Sequence, residues 1–202
     1  MTDMWQIENE LFEQGIGLIC GVDEAGRGPL AGPVCAAAVI LPPNLMIPGL
    51  NDSKKLTDKK RRELFPLIKE QAIAFGIAFA DHTEIDTVNI LQATYLAMER
   101  AIQQLRVKPE YALIDGNRAK DFGLPVKTVV KGDSLSANIA AASVLAKVTR
   151  DDLMLEMAET YPDYGFEIHK GYGTKAHYEA LRKHGASPIH RQSFLKKFYE
   201  NQ

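Results

Sequence analysis

The sequence predicts an α/β fold, in which helices flank a mixed β-sheet with an antiparallel portion. Short apolar runs typical of strands and longer segments with helical periodicity follow one another in the approximate order β-β-α-β-α-β-β-α. The first two runs are joined by the glycine-rich turn GVDEAGRGPLAG, whereas helical segments separate most of the later runs. This alternation predicts a single sheet with helices packed on it.

Five apolar runs have the length and composition of strands. They span residues 18–22, 34–41, 72–80, 111–114 and 126–130. The second run is closed by Pro42-Pro43, and the third (AIAFGIAFA) is rich in alanine, a residue that strands use sparingly. Because glycine, proline and short polar residues punctuate local structure, the residues that follow each run mark where its strand ends.

Three helices are predicted between and after these strands. The first begins at an N-cap on Thr57 or Asp58 and continues to about residue 70. The second covers residues 86–105, where apolar side chains recur at helical spacing. The third is capped by Ser134 or Ser136, and its apolar stripe consists of Ile139, Ala142, Leu145 and Ala146.

The composition changes after Tyr161-Pro162 toward glycine, histidine and basic residues. We therefore expect a main domain over residues 1–160 and a basic helical segment over residues 161–202. Residues 168–202 hold seven Lys or Arg against two acids, although the whole chain carries a net charge of −2. A basic segment beside an acidic body suits a polyanionic partner, and the alternative is an ordinary solvated helical face.

Length and composition are those of a globular protein. The chain has 202 residues, enough to bury a sizeable core, with 46% hydrophobic and 25% charged residues. Cys20 and Cys35 lie in apolar runs and are expected to be buried thiols of a reducing compartment. The acidic N-terminus lacks the features of a signal peptide, and the longest apolar run, 34–41, is too short to cross a bilayer. We therefore expect a cytoplasmic protein with no membrane segment.

Acidic residues stand where apolar strands end and glycine begins. Asp23-Glu24, Asp115 and Asp133 all have this placement. Singly, each has an ordinary alternative: a surface pair, a turn residue and a helix cap, respectively. Together, four carboxylates at one edge of a sheet would repel one another without a cation, and Mg²⁺ or Mn²⁺ prefers such hard oxygen ligands. Two such ions are a recurring device for phosphodiester hydrolysis, so metal-assisted phosphoryl chemistry is the sharpest hypothesis.

The turn Gly26-Arg27-Gly28 follows the first acidic pair. It matches neither G-x-G-x-x-G nor G-x-x-x-x-G-K-[ST], so nucleotide-cofactor loops fit it poorly. Glycines allow a backbone to approach a ligand closely, and an arginine binds phosphate with its planar fork. We interpret the acids as metal ligands and the turn as a contact with the strand that is cut.

Six blocks of the sequence resemble the ribonuclease HII family, the bacterial type 2 ribonucleases H. They are GVDEAGRGPLAGPV, NDSKKL, LIDGN, VVKGDS, AASVLAKVTRD and HKGYGT, in the family's order and spacing. The resemblance implies a ribonuclease H-like fold with a C-terminal helical segment. It also implies hydrolysis of RNA strands paired with DNA, dependent on a two-ion site for Mg²⁺ or Mn²⁺. Type 3 enzymes resemble the same core but have a long N-terminal extension and another residue in place of Arg27.

The resemblance also assigns candidate roles. It implies that Asp23, Glu24, Asp115 and Asp133 bind the metal ions and that Gly26, Arg27, Gly28 and Tyr172 contact the substrate. Lys54 and Lys131 resemble substrate-binding lysines that face phosphates, and Ser134, Ser143, Lys147 and Arg150 are further candidates for substrate contacts. Alone, the lysines would be interpreted as solvated, Ser143 and Lys147 as ordinary helix residues, and Tyr172 as a loop aromatic. The cysteines and histidines are left as structural or solvated.

The implied partners are RNA–DNA hybrids and duplex DNA that contains ribonucleotides. The implied cut lies on the 5′ side of the ribonucleotide and leaves 3′-hydroxyl and 5′-phosphate ends, and we expect a monomer. In this interpretation residues 1–160 form the catalytic domain, and the basic segment completes the substrate groove. Two rivals are another nuclease of the same superfold, such as a resolvase, and a non-catalytic module that binds nucleic acid through the basic segment.

Overall fold

The computed structural model describes residues 4–51 and 56–200. Its five strands form one sheet in the order β3-β2-β1-β4-β5. The strands are β1 (Ile19–Ala25), β2 (Val34–Ile40), β3 (Ala74–Ala80), β4 (Tyr111–Asp115) and β5 (Val126–Val129). The helices are α1 (Gln6–Phe12), α2 (Asp58–Gln71), α3 (His82–Gln103), α4 (Ala137–Thr160), α5 (Phe166–His169), α6 (Lys175–His184) and α7 (Gln192–Glu200).

The sheet is mixed, as predicted. β2 is antiparallel to both β1 and β3, whereas β1, β4 and β5 run parallel. The carboxyl ends of these three parallel strands therefore lie at the same edge of the sheet. The acidic residues predicted from the sequence stand at or just after those three ends, so the topology brings them to the same edge of the sheet.

Helices cover both faces of the sheet. One face of β2, with Cys35, Ala37 and Val39, packs on α2 and α4, and the other face packs on α3. This explains why every residue of β2 is buried, since a strand covered on both faces reads as a continuous apolar run. Gly21 lets α4 approach β1 closely, because a Cβ there would lie 2.2 Å from the backbone of Asn138.

Two helices differ from the prediction. The N-terminal helix α1, which packs through Leu11 on the edge of the core, is not predicted from the sequence. Helix α3 begins at His82, before the predicted residue 86, because Asp81 and Glu84 form a capping box ahead of the first apolar turn. The helix is also kinked at Asn89, whose φ is 70°. Of the two candidate caps of α4, Ser136 is the N-cap.

The segment after Thr160 is helical, as predicted, and packs on the far side of the glycine-rich turn. Leu30 contacts Leu181 and Leu195 in one apolar cluster, and Ala31 contacts Phe166 in another. Leu30 N–H also donates to the carbonyl of Gly171 at 2.8 Å. The turn is therefore enclosed between α4 and the C-terminal segment. Among residues 4–51 and 56–200, no helix is both long and apolar enough to span a bilayer.

Candidate active site

A cavity of about 230 Å³ opens at the carboxyl ends of β1 and β4. Carboxylates, the glycine-rich turn, two α4 side chains and one aromatic residue line it together. These residues are Asp23, Glu24, Ala25, Gly26, Arg27, Gly28, Asp115, Ser143, Lys147 and Tyr172. Three of the four predicted metal ligands and the whole Gly-Arg-Gly turn thus share one space with Tyr172.

Asp23 is the buried carboxylate of this cavity. It accepts hydrogen bonds from the Ser143 side chain on α4 and from Glu24 N–H, the latter at 2.7 Å. Burial raises the pKa of Asp23 well above its usual range, and the neighbouring charges of Glu24 and Asp115 raise it further. The site therefore holds negative charge at close quarters, and a cation bound there would relieve the repulsion.

Glu24 lies on the other side of the same strand end. Its Oε1 is 3.4 Å from Arg27 Nη1, and it also lines a second cavity of about 240 Å³ beside α3. Neighbouring strand residues point to opposite faces, and the pairing of β1 continues to Ala25. Both carboxylates reach the first cavity because it surrounds the end of the strand, which Gly26 terminates with a φ of 94°.

Asp115 and the turn that carries Asp133 are joined by a hydrogen bond. Asp115 is the last residue of β4, and its Oδ1 accepts from Gly132 N–H at 2.7 Å. Asp133 follows in the short 3₁₀ turn Gly132–Ser134 and is buried. It does not line the first cavity. A Cβ on Gly132 would lie 2.6 Å from Ile139, so glycine permits the close approach of this turn to α4.

The carboxylates of the site suit a hard divalent ion, although they do not yet form a complete coordination site. Across the described part of the chain, no three His, Cys, Asp or Glu side chains already stand as a group that could hold a metal ion. The three carboxylates that line one cavity still provide the oxygen ligands that Mg²⁺ and Mn²⁺ prefer. Mg²⁺ usually takes only one or two carboxylates and completes its shell with water and substrate oxygens.

Two buried arginines, Arg150 and Arg191, bind backbone carbonyls on the buried side of the glycine-rich turn. Arg150 donates to the carbonyls of Pro33, Ala31 and Lys170 at 2.9, 3.2 and 3.1 Å. A Cβ on Gly26 would lie 1.9 Å from Arg150 Nε, so only glycine leaves room for this guanidinium. The suggestion that Arg150 contacts the substrate is wrong, because its side chain is 1% exposed and its donors face backbone carbonyls.

Arg191 is the second of these arginines, and the sequence does not predict it as a functional residue. It is completely buried and donates to the carbonyls of Gly32, Arg27 and Gly26 at 2.9, 2.9 and 2.6 Å. Burial, followed by the nearby Arg150 charge, lowers the pKa of Arg191 to about 9. Nothing in the local sequence IHRQSF separates this side chain from the solvated arginines of a basic tail.

Tyr172 lies in the C-terminal segment, in the loop between α5 and α6, and its ring is next to the glycine-rich turn. The residue is 42% exposed, and a Cβ on Gly28 would lie 3.7 Å from its Cε1. The Arg150 guanidinium carbon lies 6.0 Å from the ring centroid, which is within the range of a cation–π contact. Tyr172 also lines a neighbouring open groove, so part of its ring remains accessible to a ligand.

The neighbouring groove continues the cavity along α2, α4 and α5. It has a volume of about 580 Å³, and its cationic residues are Arg61, Arg62, Lys147 and Lys170. Asp58 and Asp151 offset part of this charge through ion pairs with Arg62 and Lys147. The groove shares Lys147 and Tyr172 with the first cavity, so the two form one continuous track.

Three histidines of the C-terminal segment form a buried network behind Tyr172. His177 Nδ1 lies 2.9 Å from the Tyr172 carbonyl, and His177 Nε2 lies 2.9 Å from His190 Nε2. His190 Nδ1 accepts from Ser187 N–H at 2.9 Å, and the His169 and His177 rings stack with centroids 4.4 Å apart. Burial lowers the pKa of both His177 and His190 to about 4. These histidines are structural.

Two predicted substrate residues within the described ranges, Lys131 and Ser134, do not line the cavity. Lys54 lies outside the described residues. Lys131 is exposed and adopts a left-handed backbone (φ 57°) directly before the turn that carries Asp133. Ser134 ends that turn and is half-buried. A role for Lys131 and Ser134 therefore requires a substrate that extends beyond the first cavity.

The family model and the similar relatives agree on one family. The family model described as Ribonuclease HII matches residues 20–197. A ribonuclease HII of Desulfitobacterium hafniense is 57% identical over 187 residues, which cover 93% of this chain and 72% of the relative. One of Dechloromonas aromatica is 60% identical over 179 residues, covering 89% and 91%. The crystal structure of ribonuclease H2 from Pyrococcus horikoshii superposes with a TM-score of 0.74 at 26% identity, covering 91% and 99%.

Proposed function

Because the chain belongs to the ribonuclease HII family, whose enzymes cleave the RNA of RNA–DNA hybrids, we propose that it also cuts at ribonucleotides embedded in duplex DNA. The cut lies on the 5′ side of the ribonucleotide and leaves 3′-hydroxyl and 5′-phosphate ends. The observation that carries the proposal is the cavity itself, where three carboxylates share a space with Gly26-Arg27-Gly28 and Tyr172.

In this proposal Asp23, Glu24, Asp115 and Asp133 hold two Mg²⁺ or Mn²⁺ ions. When bound, such ions supply an activated water and stabilise the charge on the leaving oxygen. The chain holds two of these ligands in place before any ion binds, because Ser143 orients Asp23 and Gly132 N–H orients Asp115. Ordered ligands matter because groups that bind a metal act well only when their own hydrogen bonds fix their direction.

Recognition of the ribonucleotide falls to the turn. Gly26 and Gly28 both line the cavity with backbone. A Cβ on Gly28 would point toward Tyr172, so its absence leaves room for a sugar, whereas the missing Cβ of Gly26 leaves room for Arg150. A 2′-hydroxyl is both a donor and an acceptor, and it is the group that separates RNA from DNA at a given position. Arg27, whose side chain is half-exposed and lies near Glu24, is placed to bind a phosphate beside that sugar.

Tyr172 and the open groove extend the contact along the duplex. The accessible part of the ring packs on the sugar that follows the ribonucleotide, where the missing hydroxyl leaves a flat apolar surface. Lys147 and Lys170 bind phosphates of the same strand in the groove. Lys54, Lys131 and Ser134 make further contacts with the substrate. In this way residues 161–202 complete the substrate groove of the catalytic domain formed by residues 1–160.

We further propose that the enzyme acts as a monomer in the cytoplasm. Cys20 and Cys35 are both buried free thiols, and burial raises the pKa of each to about 12. Thiols that remain neutral and enclosed fit a reducing compartment.

The test is cleavage of a duplex that contains one embedded ribonucleotide, with the products mapped at nucleotide resolution. We expect a single cut on the 5′ side of the ribonucleotide in Mg²⁺ or Mn²⁺, and none after chelation. An otherwise identical all-DNA duplex should remain intact, and an RNA–DNA hybrid should be cut at several positions. Cutting on the 3′ side, or equal cutting of the all-DNA duplex, would contradict the proposal.

A further inference from the structure

The glycine-rich turn has its carbonyl groups bound on the buried side. Arg191 Nη2 and Nη1 donate to the carbonyls of Gly26 and Arg27, and its Nε donates to Gly32. These three bonds span both ends of the turn with one rigid, planar group. A guanidinium presents its donors in a fixed fork, so it sets the relative positions of the carbonyls that it binds.

A second anchor fixes Arg191 itself. The Asp86 carboxylate on α3 accepts hydrogen bonds from Gln192 N–H at 2.8 Å and from Ser193 N–H at 2.9 Å, which are the first residues of α7. These amides directly follow Arg191 in the chain. Its own N–H donates to the carbonyl of Leu30 at 2.8 Å. The backbone that carries Arg191 is therefore tied both to α3 and to the end of the turn.

Burying an arginine among neutral carbonyls is costly in free energy. The hydrogen-bond partners of Arg191 are three carbonyl oxygens, and the charge of Arg150 lies nearby. The attraction of the Asp86 carboxylate is a smaller influence than either burial or the Arg150 charge. Removing a charge from water without a directly paired counter-charge is unfavourable, and well-packed apolar residues often stabilise such a position better. Stability alone is thus a poor explanation for an arginine here, whereas a requirement for a fixed turn geometry explains it.

We propose that Arg191 is a positioning residue, which acts through the backbone of Gly26 and Arg27 to hold the turn in the shape that reads the ribonucleotide. The inference rests on the proposed function for the role of the turn. Because Arg191 binds these two carbonyls on their buried side, the amides of the turn and the Arg27 side chain keep a constant position relative to Glu24 and the cavity. Arg191 does not touch the substrate in this arrangement.

The first experiment measures the local stability of the glycine-rich turn in the absence of substrate. Hydrogen exchange of the amides in residues 26–32 is compared between the wild-type protein and Arg191→Met. We expect exchange in this stretch to become at least about tenfold faster, which is the change produced by about 1.4 kcal/mol of lost local stability. Arg106→Met is the matched control, since Arg106 Nε also donates to a backbone carbonyl, that of Ile73, and lines no part of the cavity. Unchanged exchange in residues 26–32 of Arg191→Met would overturn the inference whatever the substrate is.

The second experiment measures function with the same proteins. On the duplex with one ribonucleotide, kcat of Arg191→Met should fall on the order of a hundredfold, since displacement of a reacting group by about 1 Å has that effect. Affinity for an all-DNA duplex should change less than about twofold, because phosphate contacts supply non-specific binding. Arg191→Lys should recover only part of kcat, since an ammonium lacks the planar fork. A loss of kcat that merely parallels a loss of all-DNA binding would show a general structural role and overturn the inference.

A third variant covers the case in which Arg191→Met does not fold. Asp86→Ala leaves Arg191 in place but removes the acceptor for the first amides of α7. It should raise exchange in residues 26–32 and lower kcat in the same direction, by a smaller factor. Wild-type exchange and kcat in Asp86→Ala would count against the anchoring of Arg191. A wild-type protein that leaves the ribonucleotide uncut would instead contradict the proposed function, and the exchange data would still decide the inference.

Discussion

His177 and His190 face each other through their Nε2 atoms at 2.9 Å, so one ring must donate and the other must accept. The carbonyl of Tyr172 can only accept, which places a proton on His177 Nδ1 and makes its Nε2 the acceptor. His190 then donates from Nε2 and accepts at Nδ1 from Ser187. Both rings are neutral in this arrangement, because a second proton on either one would place two donors opposite each other or opposite Ser187 N–H.

Stability should therefore fall in mild acid. The folded pKa of both histidines is about 4, below the ordinary value of 6.5, so the unfolded chain binds protons first as pH falls. The contribution is fully present above about pH 6.5 and is lost progressively toward about pH 4. Thermal melts across this range should show a steep decline, with roughly 2–4 °C lost for each 1 kcal/mol. His190→Gln should flatten the decline, whereas His184→Gln, which alters an exposed ring, should not.

Asp115→Asn should abolish most activity without unfolding the protein. The amide oxygen can still accept the Gly132 N–H bond, whereas the charge needed to hold a divalent ion is lost. We expect kcat on the embedded ribonucleotide to fall by roughly 100-fold or more, the scale of losing one preorganised electrostatic contact. Asp133→Asn should behave alike if that residue is more than a turn residue. Near-wild-type cleavage by Asp115→Asn in saturating Mg²⁺ would remove this residue from the metal site.

Asp23→Asn should separate stability from activity. The carboxylate is buried beside Glu24 and Asp115, so replacing it with a neutral isostere removes like-charge repulsion. The metal-free variant should melt at the same temperature as the wild type or higher, yet it should not cleave. Mg²⁺ or Mn²⁺ should raise the melting temperature of the wild type in a concentration-dependent way and leave that of Asp23→Asn almost unchanged. Equal metal-induced shifts in the two proteins would place the ions elsewhere.

Tyr172 should matter through its ring. Tyr172→Ala removes the surface that packs on the sugar and should lower cleavage at a lone ribonucleotide by about a hundredfold, the cost of a misplaced reacting group. Tyr172→Phe keeps the ring and its contact with Arg150, so its loss should be much smaller. Tyr178→Phe, which leaves the cavity lining intact, serves as the control. A Tyr172→Ala variant with wild-type activity would disprove a role in alignment.

The salt dependence of binding should identify which cations meet the phosphates. Each phosphate contact adds about 0.9 to the slope of log affinity against log salt concentration. Lys147 and Lys170 line the groove, so replacing both with Gln should reduce the slope by about two on an all-DNA duplex. Lys196 and Lys197 on α7 line neither the cavity nor the groove, and their double Gln variant should retain the wild-type slope. If the Lys196 and Lys197 double variant lowered the slope and the Lys147 and Lys170 double variant did not, the duplex would bind on α7 instead of in the groove.

The acidic residues of the site could be predicted from the sequence, whereas the buried arginines that support the glycine-rich turn could not. Asp23, Glu24 and Asp115 have a local signal, because they end apolar runs just ahead of glycine, and parallel strand ends then bring them together. Arg150 and Arg191 carry no such local signal. Five of their six carbonyl partners lie more than 100 positions away in the chain, and tertiary contacts of that kind leave no periodic pattern. The kink at Asn89 escaped prediction for a related reason, since the apolar spacing continues through it.

The hydrogen bonds between Arg191 and the turn can form only late in synthesis of the chain. Arg27 and Arg191 are 164 positions apart, so the ribosome releases the turn long before it releases the side chain that holds it. At about 5–20 residues per second, that interval lasts on the order of 10–30 s. The nascent chain can form β1 and β2 within this time, yet the carbonyls of Gly26 and Arg27 stay solvated until residue 191 clears the exit tunnel. A ribosome-bound chain stalled before that point should therefore possess every acidic ligand and still lack a rigid ribonucleotide-reading turn.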